Sequence, residues 1–265
     1  MSRHVARSAI GLSLLALFVS LCGCASYTAP GRGANLYMES WKGSARSDIK
    51  PSDGGPVSVP EDTGADIEIV QRKATAPFPA HLVVVRIQEP GYQSMTNKGV
   101  GQGRYSVVTV RDIEKDEDFE RLGRLPSLAE IAPLSHLLLP NFFQSDKELR
   151  QAAARVQADM LLVYTVDTTF LNTNKSTPLS VVTLGFGPTI NVRVITTVAA
   201  LLMDTQTGYV YGMIEETANE QATTAAVSTQ DACDALRLKT ERRAFESFLA
   251  EFDTTWPKIV QTYKK

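Results

Sequence analysis

The chain has 265 residues with 27 basic and 29 acidic side chains, and this near-balance gives no electrostatic reason to expect a nucleic-acid ligand. A disulfide framework is also excluded, because only Cys233 remains beyond the two cysteines near the N-terminus. Cys233 is predicted to be a small buried residue on a helix, and an intermolecular disulfide is the alternative.

The first 23 residues have the three parts of a secretory signal. Arg3 and Arg7 supply positive charge, and the apolar run at 10–21 is shorter than the roughly 20 residues that a helix needs to cross a bilayer. The letters LCGC then match the bacterial lipobox, in which a small residue precedes the lipid-bearing cysteine. We therefore expect a signal peptide over 1–23 and lipid, including palmitate, on Cys24. Cys22 is the weaker candidate because bulky Leu21 precedes it, and an ordinary signal with incidental cysteines is the alternative.

The residue after Cys24 bears on the membrane in which the chain resides. It is Ala25, whereas an aspartate there tends to retain a lipoprotein in the inner membrane. We therefore expect a lipid anchor in the outer membrane of a Gram-negative bacterium, with the protein facing the periplasm. Residues 24–265 keep 25 of the basic and all 29 of the acidic residues, which leaves this part mildly acidic at −4.

Composition divides the remaining chain into a tether and one domain. Residues 24–76 are rich in glycine, proline, serine and charge, which is typical of a flexible linker. Within the tether, Leu36, Tyr37 and Trp41 are candidates for docking onto the domain. Residues 77–265 are long enough for one periplasmic domain with its own core.

The domain begins with predicted strands at 81–88 and 104–113, separated by a turn-rich loop. Capping-box spacing predicts a helix over 126–140, kinked at Pro133, and another over 145–157 with an apolar stripe of period 3.6. A central strand is predicted at 158–170, followed by a long hairpin at 189–219 that turns at 204–208. A helix from about Ser228 is predicted to end near Asp253, before Pro257. The fold class is therefore α/β (α+β), a mixed sheet with helices on its face or faces.

The segment at about 145–217 resembles part of the curli assembly and transport lipoproteins. The letters VQADMLLVYTVDTTF resemble the passage from a helix into a central strand, and LLMDTQTGYVYG resembles the last hairpin, with the pattern D-x-x-T-G-x-V. The motifs are also similar to those of lipoprotein activators of peptidoglycan synthases. The resemblance implies a periplasmic domain that binds other envelope proteins and does not catalyse a reaction. The curli channel needs two amphipathic hairpins per subunit, and here only 172–189 is long and apolar enough, so we expect no pore.

The residue types that support catalysis or metal binding show no convincing pattern. His81 and His136 lack spaced cysteine or histidine partners for zinc, and 99–103 leads into a strand, whereas a phosphate-binding loop opens a helix. The acidic run at 112–120 lacks the spacing of a calcium loop and is predicted to be a solvated loop or helix start. We expect no catalytic residue, no metal site and no cofactor.

The sequence thus favours a non-catalytic, lipid-anchored envelope protein that mediates protein–protein interaction, either with an envelope partner or with copies of itself. The exposed candidates for the contact are the 91–103 loop, the 172–188 loop and the C-terminal helix. We favour the 172–188 loop, because it has more apolar side chains than a solvated loop usually carries; they are Leu179, Val181, Val182, Leu184 and Phe186. An edge strand is the other interpretation of this loop. The alternative functions are a subunit of an outer-membrane secretion channel and a small-ligand-binding or hydrolytic lipoprotein.

Overall fold

The computed structural model describes residues 31–36, 72–172, 189–225 and 229–264. The strands, in chain order, are β1 (Ala80–Gln88), β2 (Gln102–Gly103), β3 (Ser106–Val108), β4 (Leu128–Pro133), β5 (Phe142–Phe143), β6 (Met160–Asn172), β7 (Thr189–Asp204) and β8 (Val210–Ala225). The helices are α1 (Asp116–Gly123), α2 (Asp146–Arg155) and α3 (Thr229–Tyr263), and a 3-10 turn spans His136–Leu138. This is the expected α+β class.

Six of these strands form a mixed sheet in the order β3-β1-β6-β7-β8, with β4 paired to the same edge of β1 as β3. β1 runs parallel to β4 and β6, while β6, β7 and β8 form an antiparallel meander. Because β1 has neighbours on both edges and cores on both faces, nearly every residue in it is buried. This burial accounts for its continuous apolar run.

The two faces of the sheet are covered differently. The long helix α3 covers one face and contributes Phe245, Phe248, Phe252 and Trp256 to the larger core. The short helix α2 places Leu149, Ala152 and Ala153 on the other face, against Val83, Val85 and Leu161. Since α2 has only 10 residues, it covers the β1 side of that face. The sheet beyond it has no helix of the described chain over it.

The helix predicted at 145–157 is confirmed, together with its capping box. Ser145 Oγ accepts a hydrogen bond from the Lys147 N–H, and the Glu148 carboxylate accepts one from the Ser145 N–H at 3.0 Å. The central strand and the hairpin are also confirmed as β6, β7 and β8. In each case the local sequence pattern agrees with the tertiary environment.

The strand predicted at 104–113 is confirmed only over Ser106–Val108, and two predictions about helices are wrong. Residues 126–140 do not form a helix, because Leu128–Pro133 pairs with the exposed edge of β1 and Ser127 has a φ of 61°. Helix α3 does not end near Asp253 but continues through Pro257 to Tyr263. Trp256 and Ile259 on either side of this proline are buried, and their burial offsets the roughly 3 kcal/mol cost of an interior proline.

Candidate interaction site

The candidate site is the sheet face that α2 leaves uncovered. Strand register places one residue each from β6, β7 and β8 side by side in rows across this face. Two rows matter most: Val163–Leu201–Met213, and Thr165–Ala199–Glu215. Met213 is 76% exposed, an unusual degree for a large apolar side chain on a sheet. The face therefore presents apolar surface close to the outer edge of the sheet.

A groove with a volume of about 310 Å³ crosses these rows. Most of its wall is apolar, and its principal side chains are Leu36, Ile87, Val163, Leu201, Met213 and Glu215. Its size and its mostly apolar wall are typical of a ligand-recognition groove.

The 31–36 segment forms one wall of the groove. The Ala34 N–H donates to Thr165 Oγ1 at 2.9 Å, and that hydroxyl donates to Gln88 Oε1 at 2.9 Å. Gly33 bridges to Gln88, and the Glu89 N–H donates to the Arg32 carbonyl at 3.1 Å. The segment is therefore attached to the end of β1 and to the middle of β6. The docking expected for Leu36 is observed, because Leu36 packs against the α2-side core. Tyr37 and Trp41 lie outside the described residues.

Gly33 is the residue that lets this segment approach the sheet. A Cβ atom at this position would lie 2.9 Å from Thr165 Oγ1 and 3.2 Å from Asp167 Cβ. Both distances are shorter than ordinary van der Waals contacts, so a larger residue would push the segment away from β6. No local sequence signal distinguishes this glycine from the others of the glycine-rich 24–76 stretch.

The groove has an acidic border. Asp167 and Glu215 are exposed on this face, and neither forms an ion pair with another residue that the structure describes. Arg193 lies on the same face, in the row of Leu171 and Gln221, three rows away from Glu215. A ligand that combined apolar and basic groups would therefore be complementary to the groove.

Strand β8 forms the outer edge of the sheet, and no strand within the described ranges pairs with its free side. The edge carries Glu215 and Glu216, and Glu220 is held by Lys239 at 3.0 Å and Arg243 at 2.6 Å. Charged residues on an edge strand oppose indiscriminate pairing with other strands. The free edge of β8 is therefore long, but its charged residues protect it from pairing with other strands.

A second concentration of polar groups lies buried between β1, the connection between β3 and α1 (residues 109–115) and α3. Arg86 Nη1 lies 3.0 Å from Asp112 Oδ1 and 3.6 Å from Glu114 Oε1, while Arg237 Nη1 lies 2.8 Å from Glu241 Oε2. Burial raises the pKa of Glu241, although Arg86 and Arg237 oppose this effect. We name this set, with Asp234, the buried charge cluster.

The buried charge cluster contains more carboxyl groups than guanidinium groups and is almost closed to solvent. Tyr164 donates a hydrogen bond to Glu114 Oε1, and burial raises the pKa of Tyr164 well above its usual value. Glu114 Oε2 and Arg86 Nε have no hydrogen-bond partner in the described chain, and a cavity of about 30 Å³ lies beside these two residues. That volume is large enough for a water molecule but not for a substrate. We therefore regard the cluster as structural.

The acidic run at 112–120 is thus only partly as predicted. Asp116 begins helix α1, in agreement with a helix start, whereas Asp112 and Glu114 belong to the buried charge cluster. The prediction of a solvated segment is wrong for these two residues, since Arg86 brings them into the interior. It is also wrong for Asp118 of α1, which is buried against Arg242 of α3. An arginine within the apolar strand at 81–88 was the signal in the sequence that an acidic partner would be buried there.

The other residues singled out in the sequence are separate in space. His81 is exposed and lies 3.2 Å from Asp159, and His136 is exposed in the 3-10 turn. Cys233 is buried on α3, as predicted. Among the described residues, no group of three or more histidine, cysteine or acidic side chains is arranged to hold a metal ion.

Several predicted positions cannot be placed on the fold. Cys24 and the five apolar residues of the favoured loop, Leu179, Val181, Val182, Leu184 and Phe186, lie outside the described residues. No helix within the described ranges is both long and apolar enough to cross a membrane.

Comparison with known proteins provides no family for this chain. No family model matches it, and no curated protein matches it. A solved structure of a neuraminyllactose-binding hemagglutinin homolog from Helicobacter pylori is 11% identical, with a TM-score of 0.37, over 73% of this chain and 96% of that one.

Two further solved structures are similarly distant. The PelC dodecamer from Paraburkholderia phytofirmans is 13% identical, with a TM-score of 0.22, over 66% of this chain and 90% of that one. The hypothetical protein CT253 from Chlamydia trachomatis is 12% identical, with a TM-score of 0.26, over 66% of this chain and 95% of that one. At these values the likenesses support no conclusion about function.

Proposed function

We propose that this chain is a non-catalytic, lipid-anchored protein of the bacterial envelope whose domain binds another envelope protein through the groove. The observation that carries the proposal is the exposed apolar groove with an acidic border on a sheet face that α2 does not cover. The lipobox at Cys24 and the resemblance of 145–217 to curli assembly lipoproteins support the location and the type of function.

The proposed partner segment is apolar with at least one basic residue. Apolar groups would be buried against Leu36, Leu201 and Met213, and each large side chain that is fully buried contributes about 1.5–3 kcal/mol. A lysine or arginine would lie near Asp167 or Glu215, where it would favour correct orientation and rapid association. A second copy of this chain fits less well, because the border that it would present is itself acidic.

Photo-crosslinking in cells tests this proposal. We would place p-benzoylphenylalanine at Met213 and, as a matched control, at Leu137, which is 81% exposed away from the groove. We expect a discrete product with one envelope protein from position 213 and none from position 137. The reversal Glu215→Arg should weaken that product several-fold, whereas Glu117→Arg on the exposed side of α1 should leave it unchanged.

Other outcomes would contradict the proposal. A product of two copies of this chain, or a crosslink within one chain, would mean that the groove is not the site for another protein. Equal yields from positions 213 and 137 would indicate nonspecific contact. Labelled palmitate should enter the wild-type chain and Cys22→Ala but not Cys24→Ala, and incorporation that survives Cys24→Ala would exclude the proposed anchor.

A further inference from the structure

The attachment of the 31–36 segment limits how far the domain can move from its proposed anchor. Sequence composition suggested a tether extending to residue 76, but Arg32 is already hydrogen-bonded to Glu89, and Ala34 to Thr165. Only eight Cα–Cα steps separate Cys24 from Arg32. Even a fully extended chain of that length spans no more than about 28 Å.

This distance is small compared with the domain. A domain of about 190 residues has a radius of gyration of about 16 Å, so its diameter exceeds the maximal length of the connection. The side of the domain that bears Arg32 must therefore turn toward the lipid. The groove begins at Ala34 and Leu36, the next residues along the same segment. Helix α3 covers the opposite face of the sheet.

We infer that the groove opens toward the membrane and begins within about 35 Å of the lipid surface, with α3 turned away from it. This inference deepens the proposed function and rests on its lipid anchor. It specifies the class of partner as a membrane-embedded envelope protein, whose periplasmic segment emerges near the bilayer. A freely diffusing periplasmic protein would have to enter the space between the domain and the lipid.

The 31–36 segment is the element that sets this geometry, and Gly33 provides a way to release it. A leucine at 33 meets Thr165 and Asp167, whereas a Cβ atom at the exposed Gly123 would make only an ordinary contact, 3.5 Å from Ile131. The next part of the chain described after Leu36 begins at Arg72, 48 residues from Cys24. For an unrestrained chain, this change from 8 to 48 residues raises the root-mean-square length from about 16 Å to about 38 Å.

Energy transfer to the lipid surface tests the inference. The full lipidated chain would be reconstituted in vesicles of phosphatidylethanolamine and phosphatidylglycerol that contain an acceptor-labelled lipid. A donor dye would be attached at Glu215→Cys beside the groove or at Lys258→Cys on α3, and the buried Cys233 should not compete for the dye. We expect greater transfer from position 215 than from position 258.

The variant Gly33→Leu, which should release the 31–36 segment from the sheet, gives a quantitative expectation for energy transfer. Gly33→Leu should lower transfer from position 215 about twofold, because the chain between the lipid and the domain becomes longer. It should also reduce the difference between the two dye positions. Gly123→Leu should change neither value, and circular dichroism would verify that both variants remain folded.

The possible failures are distinguishable. If the chain does not remain with the vesicles, the anchor and therefore the proposed function are wrong. If it remains with them but positions 215 and 258 transfer equally, or Gly33→Leu has no effect, the anchor stands and the inferred orientation is overturned.

Discussion

Several charged side chains of this protein are buried in its interior. Glu241 is the most enclosed acidic member of the buried charge cluster. It lies near Arg237 of its own helix, Arg86 of β1 and Asp112 of the connection between β3 and α1. Its Oε1 accepts a hydrogen bond from Thr168 at 2.9 Å. Burial raises its pKa, because water no longer solvates the charged form. Glu241 therefore links stability to pH.

The first prediction concerns Glu241→Gln. A carboxyl group with a raised pKa in the folded state contributes stability below its unfolded pKa of about 4.3, and this contribution is lost as the pH rises through the folded value. Glutamine does not titrate, so the stability of the variant relative to wild type should increase from acidic to neutral pH. Urea denaturation over a pH series measures this difference. A difference between Glu241→Gln and the wild type that stays constant with pH would contradict the prediction.

Among the elements, the turn between β7 and β8 has an unexpected role. Asp204 Oδ1 accepts hydrogen bonds from the Gln206 and Thr207 N–H groups, both at 2.9 Å, which shapes the turn. Its Oδ2 accepts from the Thr75 N–H at 2.7 Å, the Ala76 N–H at 2.9 Å and the Tyr211 hydroxyl at 2.9 Å. The aspartate of the D-x-x-T-G-x-V pattern therefore joins the hairpin to the chain that precedes β1.

The second prediction is that Asp204→Asn lowers the free energy of unfolding by about 3 kcal/mol, because the amide cannot satisfy donors around both oxygens. Burial opposes ionisation of Asp204, but hydrogen bonds from Thr207, Thr75 and Tyr211 outweigh burial and lower its pKa. The advantage of the wild type is thus present above the unfolded value of about 3.9 and should shrink as the pH falls through the folded value. Denaturation at neutral and acidic pH measures both effects. The exposed Asp167→Asn is the control, and an equal loss in both variants would refute the assigned role.

For the whole molecule, the question is whether copies assemble through the free edge of β8. Antiparallel pairing of two such edges around Glu215 and Glu216 would place like charges opposite each other, which destabilises a sheet. This repulsion is compatible with the proposed function, because that function requires no self-assembly. A secretion channel, in contrast, requires a closed ring.

The third prediction is that the lipid-free chain, residues 25–265, is a monomer in light scattering with and without detergent. The double variant Glu215→Thr, Glu216→Thr removes the repulsion at the edge and should associate more readily than the wild type. A discrete ring formed by the wild-type chain in detergent would favour the channel alternative. No association by the threonine variant would show that the glutamates do not protect the edge.

Local sequence signals were sufficient for the elements whose residues interact with near neighbours. The Ser145–Glu148 capping box, the alternation of Val192 and Val194 with polar residues in β7, and the turn at Asp204 all operate within a few residues. The lipobox at Cys24 is local in the same sense and remains a prediction. In these stretches the backbone preference of the residues and the pattern of buried side chains favour the same structure. The local sequence is therefore sufficient to predict it.

Contacts between distant residues decided the remainder. Residues 128–133 have helical capping signals but become a strand because β1 offers an unpaired edge, and α3 passes through Pro257 because Trp256 and Ile259 are buried. Asp112 and Glu114 enter the interior because Arg86 needs acidic partners there. The groove exists because α2 is too short to cover β6–β8 and Gly33 lets the 31–36 segment lie on β6. Each of these features is stabilised by contacts between segments that are distant in the sequence. No single segment therefore specifies it.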